Sequence, residues 1–220
     1  MPDATDPPAI PPDSALNAGA GNGSVARKRP KPGERKVQIL QALAGMLELP
    51  GGERITTSAL AARLGVSEAA LYRHFASKAQ MFEGLIEFIE HSVFTLVNQI
   101  TAGHETVADT PDNPDGARQA AKILAMLMQF AEKNPGMARV MVGDALVFEN
   151  ERLQQRMNLF FDKTEAALKQ ALRGTRGLDA QVGAAVAIAF AMGRLQRFVR
   201  SGFKRLPTEH LDASLARILG

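Results

Sequence analysis

The fold is decided by residues 56–75, which read TTSALAARLGVSEAALYRHF. Their apolar spacing predicts two short helices, at residues 58–64 and 68–74. Gly65 stands where the first helix must end, at a position suited to a positive φ. Ser67 can cap the second helix with its hydroxyl. The segment predicts a helix-turn-helix, and the spacing alone leaves an ordinary helical hairpin open as the alternative.

The second helix of this segment presents an outer face that suits duplex DNA. A major groove is about as wide as an α-helix with its side chains. Arg73 is suited to pairing with guanine, and Ala69 to contact with a thymine methyl group. Tyr72 and His74 can hydrogen-bond to phosphate. We therefore expect this helix to enter the major groove of double-stranded DNA.

Groups that favour phosphate flank the two helices. Thr56 and Thr57 place hydroxyls and free N–H groups at a helix start, where anions bind well. Lys78 begins the next helix, which a capping box at residues 77–80 opens. The alternative is that the threonines are only caps and Lys78 only a solvated charge. Six basic residues at positions 27–36 form either a phosphate-binding arm or a solvated linker end.

Composition indicates an all-α protein of about nine helices. The 220 residues are rich in helix formers and contain no Cys and no Trp. The absence of Cys excludes disulfides and thiolate-held metals. Glu87 and His91 share a helical face, but such a lone pair is usually a solvated contact. We expect no metal, no cofactor and no enzymatic activity, since neither a phosphate loop nor a marked nucleophile is present.

The chain divides into three predicted segments. Residues 1–32 are rich in Pro, Ala, Gly and Asp, so we expect a disordered extension with a basic end. Residues 33–93 are predicted to form the helix-turn-helix domain, and residues 94–220 a helical domain for dimerisation and partner binding. The longest apolar run, at residues 182–192, is too short to span a bilayer.

Residues 55–89 resemble the DNA-binding head of the TetR family of regulators. The resemblance is carried by LYRHF at residues 71–75, then by Ser77, Lys78 and Phe82. It implies a three-helix head, a helical regulatory body and a homodimer on a near-palindromic DNA site. The phosphate or base contacts it implies are Thr56, Thr57, Ser67, Tyr72, His74 and Lys78, with Arg73 beside them.

The body resembles the nucleoid occlusion branch of the same family, over roughly residues 34–212. The matching segments are residues 85–90, 134–136, 145–149, 152–154 and 197–201. This resemblance implies an inhibitor of cell division in the cytoplasm, associated with the nucleoid, that binds the tubulin-like GTPase FtsZ. A ligand-responsive TetR-type repressor with a Met- and Phe-lined body is the alternative, and an uncharacterised helical enzyme is a third.

Small residues in the helix at residues 179–201 suggest the seam of a homodimer. Ala184, Ala187 and Ala191 would permit two backbones to approach closely in a four-helix seam. Tight packing inside one subunit is the alternative.

A groove for the FtsZ tail is expected beside the long helix. Phe88 would border it, with Lys133 and Asn134 at the end of the next helix, and these residues suit an acidic and apolar extended peptide. The alternative is that Phe88 is a core residue.

Overall fold

The computed structural model describes residues 33–102 and 113–220, and all regular structure in these two stretches is helical. The helices are α1 (Glu34–Leu47), α2 (Thr57–Leu64), α3 (Glu68–Tyr72), α4 (Lys78–Thr101), α5 (Gly116–Lys133), α6 (Pro135–Met141), α7 (Glu151–Leu172), α8 (Ala180–Arg200) and α9 (Leu211–Leu219). Single 3-10 turns lie at Gly52–Arg54 and Asp144–Leu146. The predicted all-α fold is confirmed. Residues 1–32, which are predicted to be disordered, lie outside the described residues. So does most of the loop predicted at residues 103–116.

Helices α1, α2 and α3 form a compact head whose turns follow the predicted chemistry. Gly65 has φ 64°, the left-handed conformation expected at the end of α2. Ser67 accepts a hydrogen bond from the Ala70 N–H at 3.3 Å and caps α3. On α1 the inward face consists of Ile39, Leu43 and Leu47, whereas Val37 is exposed.

Helix α4 connects the head to the body without interruption. Ser77 caps it through the Gln80 N–H at 3.2 Å, and the Gln80 side chain accepts from the Ala76 N–H at 2.8 Å. The first bond is the one that a capping box predicts, whereas Gln80 reaches the N–H of the residue before the cap rather than that of Ser77. The domain boundary proposed at residue 93 falls inside this helix, so the two units share α4 rather than a linker.

The body packs α4 to α9 around a core of aromatic and sulfur-containing side chains. Phe130, Phe160 and Phe198 are fully buried on α5, α7 and α8. Six methionines fill the remaining space: Met81, Met126, Met128, Met137, Met141 and Met157. Thioether side chains fill irregular gaps well, so these residues act as core rather than as pocket lining.

The small residues of α8 face inward, contrary to the prediction that they form a dimer seam. Ala184, Ala187 and Ala191 are all 0% exposed within a single protomer. Helix α8 packs most extensively on α7, and small side chains allow that close approach. These three alanines are therefore core residues, and a second copy cannot reach them.

Among the residues that the structure describes, α8 is also the one helix long and apolar enough to cross a membrane. This is weak evidence for a membrane span, since the core helix of a globular protein passes the same test. In the most apolar 18-residue stretch of α8, 44% is buried inside the protein. The helix packs on α5, α6, α7 and α9.

Candidate nucleic-acid interface and partner surfaces

Helix α3 is held by one buried side chain and exposes its other side to solvent. Leu71 is buried in the head, which fixes the rotation of the helix about its axis. Ala69, Tyr72 and Arg73 are exposed on the opposite side, and His74 follows at the helix end, partly buried. Three of the residues predicted to meet base edges and phosphates, Ala69, Tyr72 and Arg73, are thus exposed on one side of the head.

The hydroxyls at the start of α2 are already engaged within the head. Thr56 Oγ1 accepts from the Ala59 N–H at 3.2 Å and lies 3.0 Å from Ser58 Oγ. Thr57 Oγ1 donates to Glu68 Oε2 at 2.7 Å, which ties the start of α2 to the start of α3. Both predicted roles of the threonines, as caps and as groups near an anion site, remain compatible with these contacts.

Lys78 lies at the junction between head and body. Its Nζ is 2.5 Å from Glu149 Oε1, and it also lies 5.7 Å from the centre of the Phe82 ring. Glu149 follows the second 3-10 turn, far along the chain from α4. No sequence pattern indicates this partner, because a contact between distant segments depends on the packing of the whole body.

The described part of the basic cluster lies at the start of α1. Lys36 Nζ lies 5.7 Å from the centre of the Phe75 ring, which places it near the end of α3. Arg35 donates to Gln38 at 2.9 Å on the same helix. Residues 27–31 of the predicted arm lie outside the described residues.

Phe88 lies between the core and the surface, where α4 meets α5. Its ring centroid is 6.4 Å from that of Phe130, and it remains partly accessible. Lys133 is exposed at the end of α5. Asn134, in contrast, is only 4% exposed, and its Nδ2 donates to the Phe130 carbonyl at 2.8 Å. Asn134 therefore links α5 to α6 and does not line a groove, which corrects the prediction for that residue.

The other side of α4 carries carboxylates that α7 neutralises. Arg156 donates to both oxygens of Glu90, at 3.2 and 2.5 Å, and Arg152 pairs with Glu83. The hydrogen bond to Glu90 raises the pKa of Arg156 above its ordinary value, so the guanidinium stays charged. Sequence periodicity missed these pairs, since α4 and α7 are separated by two helices. Within the described ranges, no group of three or more metal-ligating side chains occurs, around Glu87 and His91 or elsewhere.

The outer face of α8 is apolar and uncovered in the protomer. It consists of exposed residues that recur at helical spacing along α8: Val182, Ala185, Val186, Ala189, Met192 and Gly193. On the adjacent helix α7, Leu159 is also exposed. An apolar strip of this length on a helix surface is typical of a protein–protein contact.

A shallow groove between α5 and α9 is open to solvent. Ala121, Ala125 and Leu215 line its floor, and Lys122 and Asp212 lie at its edges. Because the groove is open, it does not resemble an enclosed cavity for a small effector, which buries most of a ligand's surface.

Two family patterns match the chain. Residues 39–85 match "Bacterial regulatory proteins, tetR family", and residues 117–218 match the SlmA-like "Tetracyclin repressor-like, C-terminal domain". The first pattern covers the head and the start of α4, and the second covers the body from α5 to α9.

Relatives named "Nucleoid occlusion factor SlmA" align over most of this chain. The protein of Idiomarina loihiensis is 48% identical over 186 residues, covering 81% of this chain and 90% of its own. That of Shewanella sp. strain MR-4 is 50% identical over 185 residues, covering 81% and 89%. That of Alteromonas mediterranea is 47% identical over 189 residues, covering 83% and 92%. Their shared name is not that of an enzyme, in agreement with the sequence interpretation.

Solved structures of TetR-type regulators share the fold at low identity. FadR of Bacillus halodurans superposes with a TM-score of 0.65 at 17% identity, covering 87% of this chain and 97% of its own. FadR of Bacillus subtilis, solved with stearoyl-CoA, gives 0.61 at 16% identity, covering 83% and 97%. The all-α architecture is thus the TetR-like fold expected from the sequence. The chain belongs to the SlmA family, a branch of the TetR-type DNA-binding regulators.

Proposed function

We propose that this chain is a nucleoid occlusion factor of the cytoplasm. As a homodimer it binds near-palindromic duplex DNA, and from there it binds FtsZ and inhibits assembly of the division ring over the chromosome. The observation that carries the proposal is the 47–50% identity to relatives of that name over about nine tenths of their length.

DNA contact is assigned to the outer face of α3 and to the groups around it. Arg73 and Ala69 face the base edges, and Tyr72 and His74 face the phosphates. Thr56, Thr57, Ser67 and Lys78 complete the phosphate contacts at three helix starts. The exposure of this face and the buried anchor at Leu71 support the assignment.

Dimerisation is assigned to the outer face of α8 in place of the three buried alanines. Val186 lies near the middle of the apolar strip and is 48% exposed. A second copy packed on this strip would bury it by a two-fold contact, in which the same surface of each protomer meets its equivalent. The two domains proposed at residues 33–93 and 94–220 then correspond to DNA binding and to assembly.

Contact with FtsZ is assigned to the surface where α4 meets α5. Phe88 offers an apolar anchor, and Lys133 adds positive charge for an acidic peptide. Of the three carboxylates of α4, Glu83 and Glu90 pair with Arg152 and Arg156 of α7, whereas Glu87 is exposed next to Phe88 in the sequence. Neutralisation of two of these three carboxylates lowers the repulsion that an acidic segment meets from α4 near Phe88.

The experiment compares Phe88→Ala with Leu206→Ala, which truncates an exposed apolar side chain on the turn before α9. Fluorescence anisotropy measures binding of an FtsZ tail peptide and, separately, of an operator duplex. We expect Phe88→Ala to weaken peptide binding by roughly tenfold or more, because a central apolar anchor dominates a small interface. DNA binding should stay unchanged in both variants, and Leu206→Ala should bind the peptide like the wild type.

Two results would contradict the proposal. If Phe88→Ala lowers the unfolding midpoint as strongly as truncation of the fully buried Ile89, Phe88 is only a core residue. If the wild-type protein does not bind FtsZ and releases DNA on addition of a small effector, the chain is a ligand-responsive repressor.

A further inference from the structure

One lysine serves both the head and the body of this protein. Lys78 is the first residue of α4, and its ammonium lies 2.5 Å from the Glu149 carboxylate. The Glu149 side chain is only 8% exposed, whereas that of Lys78 is 29% exposed. The carboxylate thus lies inside the junction, and the ammonium lies between it and solvent.

The segment that carries Glu149 is fixed against the head by further contacts. The Arg54 guanidinium lies 4.5 Å from the centre of the Phe148 ring, so the residue before Glu149 also contacts the head. The two 3-10 turns, Gly52–Arg54 and Asp144–Leu146, pack on each other. The Glu149 N–H donates to the Leu146 carbonyl at 3.0 Å. These contacts hold the carboxylate in place, so it cannot move away freely when Lys78 meets another anion.

The two charges of this ion pair differ in their access to solvent, since Glu149 is more deeply buried than Lys78. A nearly buried carboxylate is costly to leave unpaired, so Glu149 keeps the ammonium close. An ammonium has three donors and Glu149 occupies one, so this partly exposed group keeps donors for a second anion. The carboxylate also places a negative charge a few ångströms behind the group that would meet a phosphate, and like charges repel.

We propose that Glu149 is a positioning residue for DNA binding: it holds Lys78 at the head–body junction and limits the positive charge that Lys78 offers to a DNA phosphate. This inference rests on the proposed phosphate contact of Lys78. Its consequence is a link between two regions, because any movement of residues 147–149 away from α4 strengthens DNA binding. By reciprocity, DNA binding loosens the contact between Glu149 and α4.

The test removes the negative charge of Glu149 and follows the salt dependence of DNA binding. Glu149→Gln is compared with Glu90→Gln, which removes a carboxylate from another ion pair of α4 but lies about 18 Å farther along the helix. Both variants change the net charge equally. DNA affinity is measured by anisotropy between about 50 and 200 mM salt, the range over which phosphate contacts dominate.

We expect Glu149→Gln to bind DNA several-fold more tightly and to steepen the slope of log affinity against log salt by up to about 0.9, the value for one neutralised phosphate. Glu90→Gln should keep the wild-type slope. Glu149→Asp keeps the charge but draws it back by one methylene, so an intermediate slope is expected. That variant decides the question if Glu149→Gln does not fold.

Lys78→Gln, made in the wild-type and in the Glu149→Gln background, distinguishes the phosphate contact of Lys78 from the effect of Glu149 on that contact. We expect a small decrease of the slope in the wild type and a decrease near one unit in the Glu149→Gln background. Equal decreases in both backgrounds would overturn the role of Glu149 and leave the phosphate contact intact. If Lys78→Gln changes the slope in neither background, the phosphate contact itself is wrong and the inference fails with it.

Discussion

Glu48 is a carboxylate whose surroundings oppose its charge. Burial raises the pKa of Glu48 above its ordinary value of 4.5, although the Gly136 backbone N–H and the nearby Arg63 act in the opposite direction. A raised pKa means that the folded protein favours the protonated form. Because Glu48 is also exposed to solvent, which screens its charge, ionised Glu48 costs only a little stability at neutral pH, and this cost disappears as the pH falls below the carboxyl range.

Glu48→Gln should accordingly stabilise the protein at pH 7. The amide keeps an acceptor for the Gly136 N–H and removes the charge that burial disfavours. We expect a modest rise of the urea midpoint at pH 7 that shrinks as the pH is lowered through 4.5. A gain of equal size at pH 3.5 and at pH 7 would show that ionisation of Glu48 is not the cause.

At the level of single residues, local chemistry was predictable and distant contacts were not. The Ser67 cap and the left-handed Gly65 depend on neighbours within four residues, so their sequence signals are direct. The partner of Lys78 and the burial of Asn134 depend on how α5, α6 and α7 pack. No pattern within one segment contains that information.

At the level of helices, apolar periodicity predicted the two short helices of the head, but it did not predict which face of α8 meets solvent. Helix α8 shows why. Small residues lie on both sides of it, with Ala184, Ala187 and Ala191 inside and Ala185 and Ala189 outside, so small side chains alone suggested the wrong face for the seam. Helices that are apolar all round give no amphipathic signal to separate a protomer core from a dimer interface.

A single charged substitution tests whether the outer face of α8 is the dimer interface. Val186→Arg should prevent association, because a buried unpaired cation in the seam is costly, whereas α8 keeps its inward contacts. We expect the variant to sediment as a protomer of 23.6 kDa and to bind an operator on the order of a hundredfold more weakly. Val37→Arg, on the exposed side of α1, should remain dimeric. If Val186→Arg is also dimeric, the seam lies elsewhere.

At the level of the whole molecule, two heads carried by one seam require a DNA site of matching symmetry. A dimer of helix-turn-helix heads binds inverted half-sites centred about 10 base pairs apart, or a multiple of that spacing. Insertion of about five base pairs turns the second half-site to the opposite face of the duplex. Affinity should then fall to that of a duplex with one half-site scrambled, measured by anisotropy. Undiminished binding would indicate that the heads act independently.

The uncovered strip on α8 also makes occupancy of the chromosome depend on how many copies a cell contains. If two chains must meet before a site is filled, the amount of assembled protein varies with the square of the amount of unpaired chain. Halving the unpaired chain as a cell grows would reduce the assembled form to about a quarter. Growth without new synthesis would therefore clear the DNA faster than dilution alone.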